Sequence, residues 1–343
     1  MKTDTTADAT ANEFVLARHP QGIPVAGDFT LASRALNELE EGSVRVKTRV
    51  WGIDPGLRSR LSGAASYVAP LALGDAVTGF VAGQVLQSRD AGFAVGDIVT
   101  GSWGWRDIAD VPARSISRAP EREGLPLESL LGLLGIPGIT AYFGMLDIAQ
   151  VKAGDQVLVT SAAGGVGSIA SQIAKLQGAR VVGLAGGALK CQWLLDTAGL
   201  DDVIDYKATP DLAAALASKF PQGIDVVFEN LGNAMLDAVL PKMRIGGRIV
   251  VCGQTADYNL APEQVHGVRN TRSIIAHRLR IQGLVAMDYA ARYEEARRDI
   301  RAWAREGKLV TQEDIAVGFE QLPAAFASLF EANNLGRKLV VAA

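Results

Sequence analysis

The sequence predicts an α/β protein in two parts, a β-rich region followed by a parallel sheet wound from strand–helix–strand units. Three observations predict it. Short apolar runs at residues 156–160, 180–185, 202–205, 224–228, 248–252 and 281–285 alternate with helical patterns, the rhythm of a parallel sheet covered on both faces. Residues 13–120 instead carry short strands set off by glycine and aspartate, which suits a barrel or rolled sheet. The 343 residues are also enough for two domains of ~150 residues each.

Taken in order, residues 43–50 (SVRVKTRV) alternate as a half-buried strand does, and 80–86 and 97–100 are further short strands. Residues 129–146 are uncharged and bounded by Glu128 and Asp147, yet Pro137 and glycines 132, 135, 138 and 144 interrupt them. A spanning helix needs ~20 predominantly apolar residues, so this stretch predicts a buried element crossing between domains. After the strand at 156–160 come a glycine-rich turn, a helix through Lys175, and a second helix over 189–198. Residues 289–306 predict a charged amphipathic helix with Tyr293, Ala296, Ile300 and Trp303 on one face. The last segment, 315–343, returns to strand-like runs and a short helix.

Composition excludes several functions. The chain is 48% hydrophobic and 21% charged with a net charge of −3, and its densest basic cluster is only Arg269, Arg272, His277, Arg278 and Arg280. A nucleic-acid partner requires a basic face, so none is expected. The two cysteines, Cys191 and Cys252, and three histidines, His19, His266 and His277, make neither a disulfide framework nor a four-thiolate zinc site. No metal is expected. The first dozen residues carry no apolar stretch of the signal-peptide kind, which predicts a cytoplasmic protein away from membranes.

The strongest local signal is Ala162-Ala163-Gly164-Gly165-Val166-Gly167, after a strand and opening a helix, the context a dinucleotide fingerprint requires. Ala162 replaces the first glycine and fits a tight turn while its φ stays negative. Gly164 lets the backbone approach a pyrophosphate, Gly167 lets the helix pack on the strand, and unpaired helix-start N–H groups supply anion donors. NAD sites place an acid at the end of the second strand. Here that strand ends Leu184-Ala185-Gly186-Gly187, and no carboxylate follows before Asp196. Lys190 stands in the first turn instead, where it is either a solvated surface residue or the partner of a 2′-phosphate. The missing acid favours NADP(H). No tyrosine is followed by lysine four residues on, and no GxSxG, HExxH or GxxxxGK[ST] occurs. A redox enzyme so equipped adds or removes hydride at carbon beside an already activated electrophile.

Several ordered stretches carry a resemblance: HPQGIPVAGDF (19–29), IDPGLR (53–58), GDIVTGSWGW (96–105), LGIPGITAYFG (134–144), AAGGVGS (162–168), AGGALKC (185–191), IDYK (204–207), FENLG (228–232), VCG (251–253), DYN (257–259), RIQG (280–283) and NNLGRK (333–338). With them the chain resembles the zinc-independent medium-chain dehydrogenase/reductases over nearly its whole length. Among these it is similar to the double-bond reductases, which include prostaglandin/leukotriene, alkenal and curcumin reductases. The resemblance implies a GroES-like domain over 1–128, completed by 312–343, a Rossmann NADP-binding domain over 129–311, a catalytic cleft between them, and a homodimer.

The same resemblance implies roles. Gly164, Gly165, Val166 and Gly167 would cradle the pyrophosphate, and Lys190 and Tyr206 would hold the 2′-phosphate. Asn230, Cys252 and Gly253 would line the path to the nicotinamide, with Thr140 and Asn334 approaching its ring or ribose. Tyr258 would be catalytic, hydrogen-bonding the substrate carbonyl. Cys252 also reads as a small core residue, Asn230 as a turn former and Tyr258 as a loop residue. One departure matters: the family's Asp-Pro-Tyr-Met-Arg stands here as Asp54-Pro55-Gly56-Leu57-Arg58. Either the space at Gly56 admits a bulkier substrate, or Tyr67, Trp103 or Trp105 replaces the lost ring. The expected activity is NADPH-dependent reduction of the C=C bond of α,β-unsaturated ketones and aldehydes. An NADPH-dependent quinone reductase and a non-catalytic NADPH-binding protein are the alternatives.

Overall fold

The computed structural model describes residues 10–63, 68–331 and 333–343; Tyr67 lies outside them. The chain divides into two compact units.

The first unit runs to Leu131 and takes in Ile315–Glu331 and Lys338–Ala343. It begins with an antiparallel ribbon of β1 (Thr10–Leu16) and β2 (Phe29–Ala35). Then follow β3 (Ser43–Gly52), the short α1 (Leu57–Arg60), β4 (Val81–Ser88), β5 (Ile98–Gly101), β6 (Ile108–Pro112) and β7 (Ile116–Arg118). The alternation read in β3 is real: Val44, Val46, Thr48 and Val50 are buried, because successive side chains point to opposite sides of a strand.

The second unit covers Gly132–Asp314 and residues 333–337. After α2 (Ile136–Phe143) it runs β8 (Gln156–Val159), α3 (Gly167–Leu176), β9 (Arg180–Ala185), α4 (Ala188–Asp196), β10 (Asp202–Asp205), α5 (Leu212–Lys219), β11 (Ile224–Glu229), α6 (Asn233–Val239), β12 (Met243–Val251), α7 (Arg272–His277), β13 (Arg280–Gly283) and α8 (Tyr293–Arg305). The strands form one parallel sheet in the order β10-β9-β8-β11-β12-β13. That is the Rossmann order, and its reversal between β8 and β11 marks the crevice where such sheets bind ligands. The chain then supplies β14 (Glu313–Val317), α9 (Leu322–Ser328) and β15 (Arg337–Val341), and the larger sheet reads β14-β15-β3-β4-β5-β7 with β6 paired to β3.

The uncharged stretch 129–146 is buried as expected, in the short α2 and a following π turn at Gly144–Ile148. Two elements differ from the sequence reading. The expected helix over 289–306 opens as a 3-10 segment, Ala286–Arg292, so α8 starts at Tyr293; Ala296 and Ile300 are its buried residues. Strand β12 starts at Met243, ahead of Gly246 and Gly247; with φ of 77° at Gly246 the strand shifts register and continues. Among the described residues, no helix is long and apolar enough to cross a membrane.

Candidate cofactor and active site

The turn after β8 is closed by backbone. Ser161 takes a left-handed φ of 47°, whereas Ala162 does not, so the replacement of the first glycine carries no strain. Gly164 N–H donates to Ser161 O at 2.9 Å. A Cβ on Gly167 would stand 2.3 Å from Ser161 O, so the close helix–strand approach requires glycine there. Val166 is the residue before the first turn of α3, whose leading N–H groups have no intrahelical acceptor. From the far end of the chain, Gly336 N–H donates to Ala163 O at 2.7 Å, and Gly336 bridges Gly164. This brings Asn334 within two residues of the turn.

The end of β9 is shaped by a ring and two cations. Tyr206 lies on Gly186, where a Cβ would be 2.6 Å from the Tyr206 hydroxyl. Asp205 Oδ1 accepts the N–H groups of Gly187 (2.9 Å) and Lys207 (3.0 Å), tying this turn to β10. Burial first, and the like charge of Lys207 second, hold the Lys190 ammonium below the usual lysine range. Lys190 and Lys207 thus share a neighbourhood with the Asp205 and Asp314 carboxylates beside them.

Across the switch point, Asn230 N–H donates to Thr160 Oγ1 and its side-chain amide to Thr160 O, both at 2.7 Å. Asn230 therefore joins β11 to β8 rather than merely turning the chain. The loop after β12 hangs on this turn. Cys252 and Gly253 N–H reach Glu229 O (2.8 and 3.2 Å), Thr255 N–H reaches Asn230 O (3.1 Å), and Ala256 N–H reaches Leu231 O (2.8 Å). A Cβ on Gly253 would be 3.3 Å from Asn230 O and 3.8 Å from the Tyr258 hydroxyl. Asn230, Cys252, Gly253 and Tyr258 are thereby brought together. Burial, then the Glu229 carboxylate, pushes the Cys252 thiol up to about 12, so it stays neutral. Thr140 is buried in α2.

Residues 12–118 match the family described as N-terminal domain of oxidoreductase, and 165–302 the one described as zinc-binding dehydrogenase. The 2-alkenal reductase (NADP(+)-dependent) of Nicotiana tabacum is 37% identical over 334 residues, 96% of each chain. The NADPH-dependent curcumin reductase of Escherichia coli (strain K12) is 36% identical over 333 residues, 95% of each. The chain belongs to the double-bond reductases of the medium-chain dehydrogenase/reductase family. The crystal structure of CurA in complex with NADPH from Vibrio vulnificus is similar too, with a TM-score of 0.91 at 36% identity, covering 97% of this chain and 99% of that one.

In this double-bond reductase the indoles named for the substrate pocket are core residues. Trp103 is 5% exposed and donates from Nε1 to Thr48 Oγ1 at 2.8 Å, and Trp105 is 1% exposed among Phe14, Phe29 and Phe326. Gly56 has an ordinary φ of −61°, and a Cβ there would meet nothing within 4 Å. Glycine at 56 therefore answers no backbone demand and leaves room. Among the described residues, no three His, Cys, Asp or Glu side chains are grouped to hold a metal ion.

The sequence reading missed Thr160, Asp205, Lys207, Asp257 and, above all, Glu229. An acid closing the apolar run IDVVFE was the available signal, since acids are rarely buried without a use. Glu229 is 1% exposed. Desolvation first, against the backbone N–H groups it accepts and with the Asp257 charge adding to it, raises its carboxyl from 4.5 to about 7. Between those values the folded state keeps a proton that the unfolded state has lost, so stability falls as pH rises through that window. Chemical denaturation of wild type and Glu229→Gln across it is expected to show the variant gaining about 3 kcal/mol relative to wild type. A difference independent of pH would refute the raised value.

Proposed function

We propose that this chain is an NADPH-dependent reductase of the C=C bond of α,β-unsaturated ketones and aldehydes. One sheet edge carries the reading: it holds a turn closed to side chains after β8 and, two strands away, the Tyr258 phenol. The residues present fit NADP(H). Gly165, Val166 and Gly167 leave backbone N–H groups for a pyrophosphate that Gly164, lacking a side chain, lets approach, and Lys190 and Tyr206, with Lys207, suit a 2′-phosphate. Asn230, Cys252, Gly253, Thr140 and Asn334 are assigned to the nicotinamide end. The relatives' names, a 2-alkenal reductase and a curcumin reductase, agree with an unsaturated carbonyl substrate.

When bound, the nicotinamide supplies a hydride for the substrate β-carbon. The chain's part is electrostatic. The Tyr258 hydroxyl donates a hydrogen bond to the carbonyl oxygen, where negative charge accumulates as the β-carbon is reduced. With a reference pKa of ≈ 10, a phenol donates while remaining neutral. Solvent or Tyr258 then returns a proton to the α-carbon. The room at Gly56 admits substrates with a bulky substituent. We also assign the protein to the cytoplasm as a homodimer; the end position of β13, with three of its four residues exposed, supports self-pairing, and light scattering that gives a monomer would reject it.

The test follows nicotinamide absorbance with a panel of enals and enones and identifies the product. A saturated ketone or aldehyde is expected; hydroquinone from a quinone, with no enone turnover, would reject the reading. Tyr258→Phe is expected to lower kcat by about 100-fold, the usual loss for one oxyanion donor, with NADPH affinity within about twofold. A loss under about threefold would remove Tyr258 from the chemistry.

A further inference from the structure

Glu229 ends a central strand at the switch point, and its two oxygens differ. Oε1 accepts the N–H groups of Leu231 at 2.6 Å and Gly232 at 2.8 Å. Oε2 is buried and has no hydrogen-bond partner among the described residues. An oxygen accepting two buried backbone donors holds its turn, because either N–H left without an acceptor is costly. The turn it holds is narrow: Gly232 has a φ of 136°, and a Cβ on it would be 2.2 Å from Asp257 Oδ2. That carboxylate closes on the turn to accept Asn233 N–H at 2.9 Å. The next residue in the chain is Tyr258.

The two loops are therefore coupled through a short series of bonds. Glu229 Oε1 fixes residues 231–232, and the carbonyls of 229, 230 and 231 carry the loop from Cys252 to Ala256. Gln254 Nε2 adds a bond to Asn233 Oδ1 at 3.1 Å. We infer that Glu229 is a positioning residue for the reaction: it fixes the turn after β11 and, through that turn, the loop that presents Tyr258. This rests on the reading of Tyr258 as the donor to the substrate carbonyl. The carboxyl acts through the loop and touches neither substrate nor cofactor.

Amide hydrogen exchange and steady-state kinetics on Glu229→Ala and Glu229→Gln test it together. In Glu229→Ala, exchange over residues 230–233 and 252–258 is expected to quicken about tenfold while 186–207 is unchanged, the loss of two hydrogen bonds to buried N–H groups being worth about that factor. Its kcat should fall about tenfold with the affinity for adenosine 2′-phosphate within about twofold, because that probe reads only the β9 end. Glu229→Gln should restore both, since an amide oxygen accepts the same two N–H groups. Unchanged exchange over 252–258, or equally faster exchange throughout the second unit, would overturn the inference. If the wild type reduces no enone, the proposed function fails while the exchange pattern still decides the role of Glu229. Should Glu229→Ala not fold, Glu229→Asp, one methylene shorter, takes its place with the same expected pattern.

Discussion

Replacing Gly336 with alanine is expected to cost about 3–5 kcal/mol of stability and to weaken NADPH binding at least tenfold. Two independent strains meet at this residue. Its φ of 78° is left-handed, worth about 1–2 kcal/mol against any residue with a Cβ. A Cβ would also stand 1.8 Å from Gln312 O and 2.5 Å from Gln312 C. Those are backbone atoms, so no side-chain rotation relieves the clash, and the bond from Arg337 N–H to Gln312 O at 2.9 Å must open. The same displacement pulls Gly336 N–H from Ala163 O and moves Arg337 off Gly165, where a Cβ would already be 3.1 Å from Arg337 Cδ. The turn proposed to hold the pyrophosphate thus loses its support at a distance of many residues. Gly267 is the control: it has no positive φ and open space around it, so Gly267→Ala should stay within about 0.5 kcal/mol. Thermal melts and NADPH titration read both effects, and Gly336→Ala behaving like Gly267→Ala would contradict this account.

That contact illustrates what the sequence could and could not disclose. Periodicity placed β9 and β10 at their observed bounds, because a strand covered on both faces must be apolar throughout. The fingerprint placed Gly167, because helix–strand packing is a local demand. Nothing local pairs Gly336 with Ala163, or Asn230 with Thr160, since those bonds exist only once the sheet order is set. Trp103 and Trp105 show a related limit of sequence: an aromatic suits a pocket wall and a core equally well, and their burial is visible only in the packing. At β12 the apolar run marks only 248–252, yet pairing to β11 reaches back to Met243 through a register shift ahead of Arg248. An acid at a strand end, as Glu229 is, ordinarily reads as solvated, and only the folded sheet buries it.

Lys190→Ala is expected to raise the dissociation constant for NADPH by about 30–100-fold and that for NADH by less than about twofold. The size follows from losing a charge-assisted bond to phosphate, about 2–3 kcal/mol. The selectivity follows from position. At this strand end Asp205 has Oδ1 engaged by Gly187 and Lys207 N–H groups, and those bonds hold its carboxyl below the usual carboxylate range. It is fastened to the turn rather than offered to a ribose hydroxyl. Lys190 carries the opposite signature: burial and Lys207 disfavour its charge and outweigh the nearby Asp314 carboxylate, and a bound 2′-phosphate would relieve the repulsion between the two ammonium groups. If both lysines meet one phosphate, the Lys190→Ala/Lys207→Ala double variant should bind NADPH no better than NADH, and rising salt should weaken NADPH binding more in wild type than in the double variant. Equal weakening of NADPH and NADH by Lys190→Ala would instead mean that the residue shapes the turn, and the cofactor preference would have to arise elsewhere on the sheet edge.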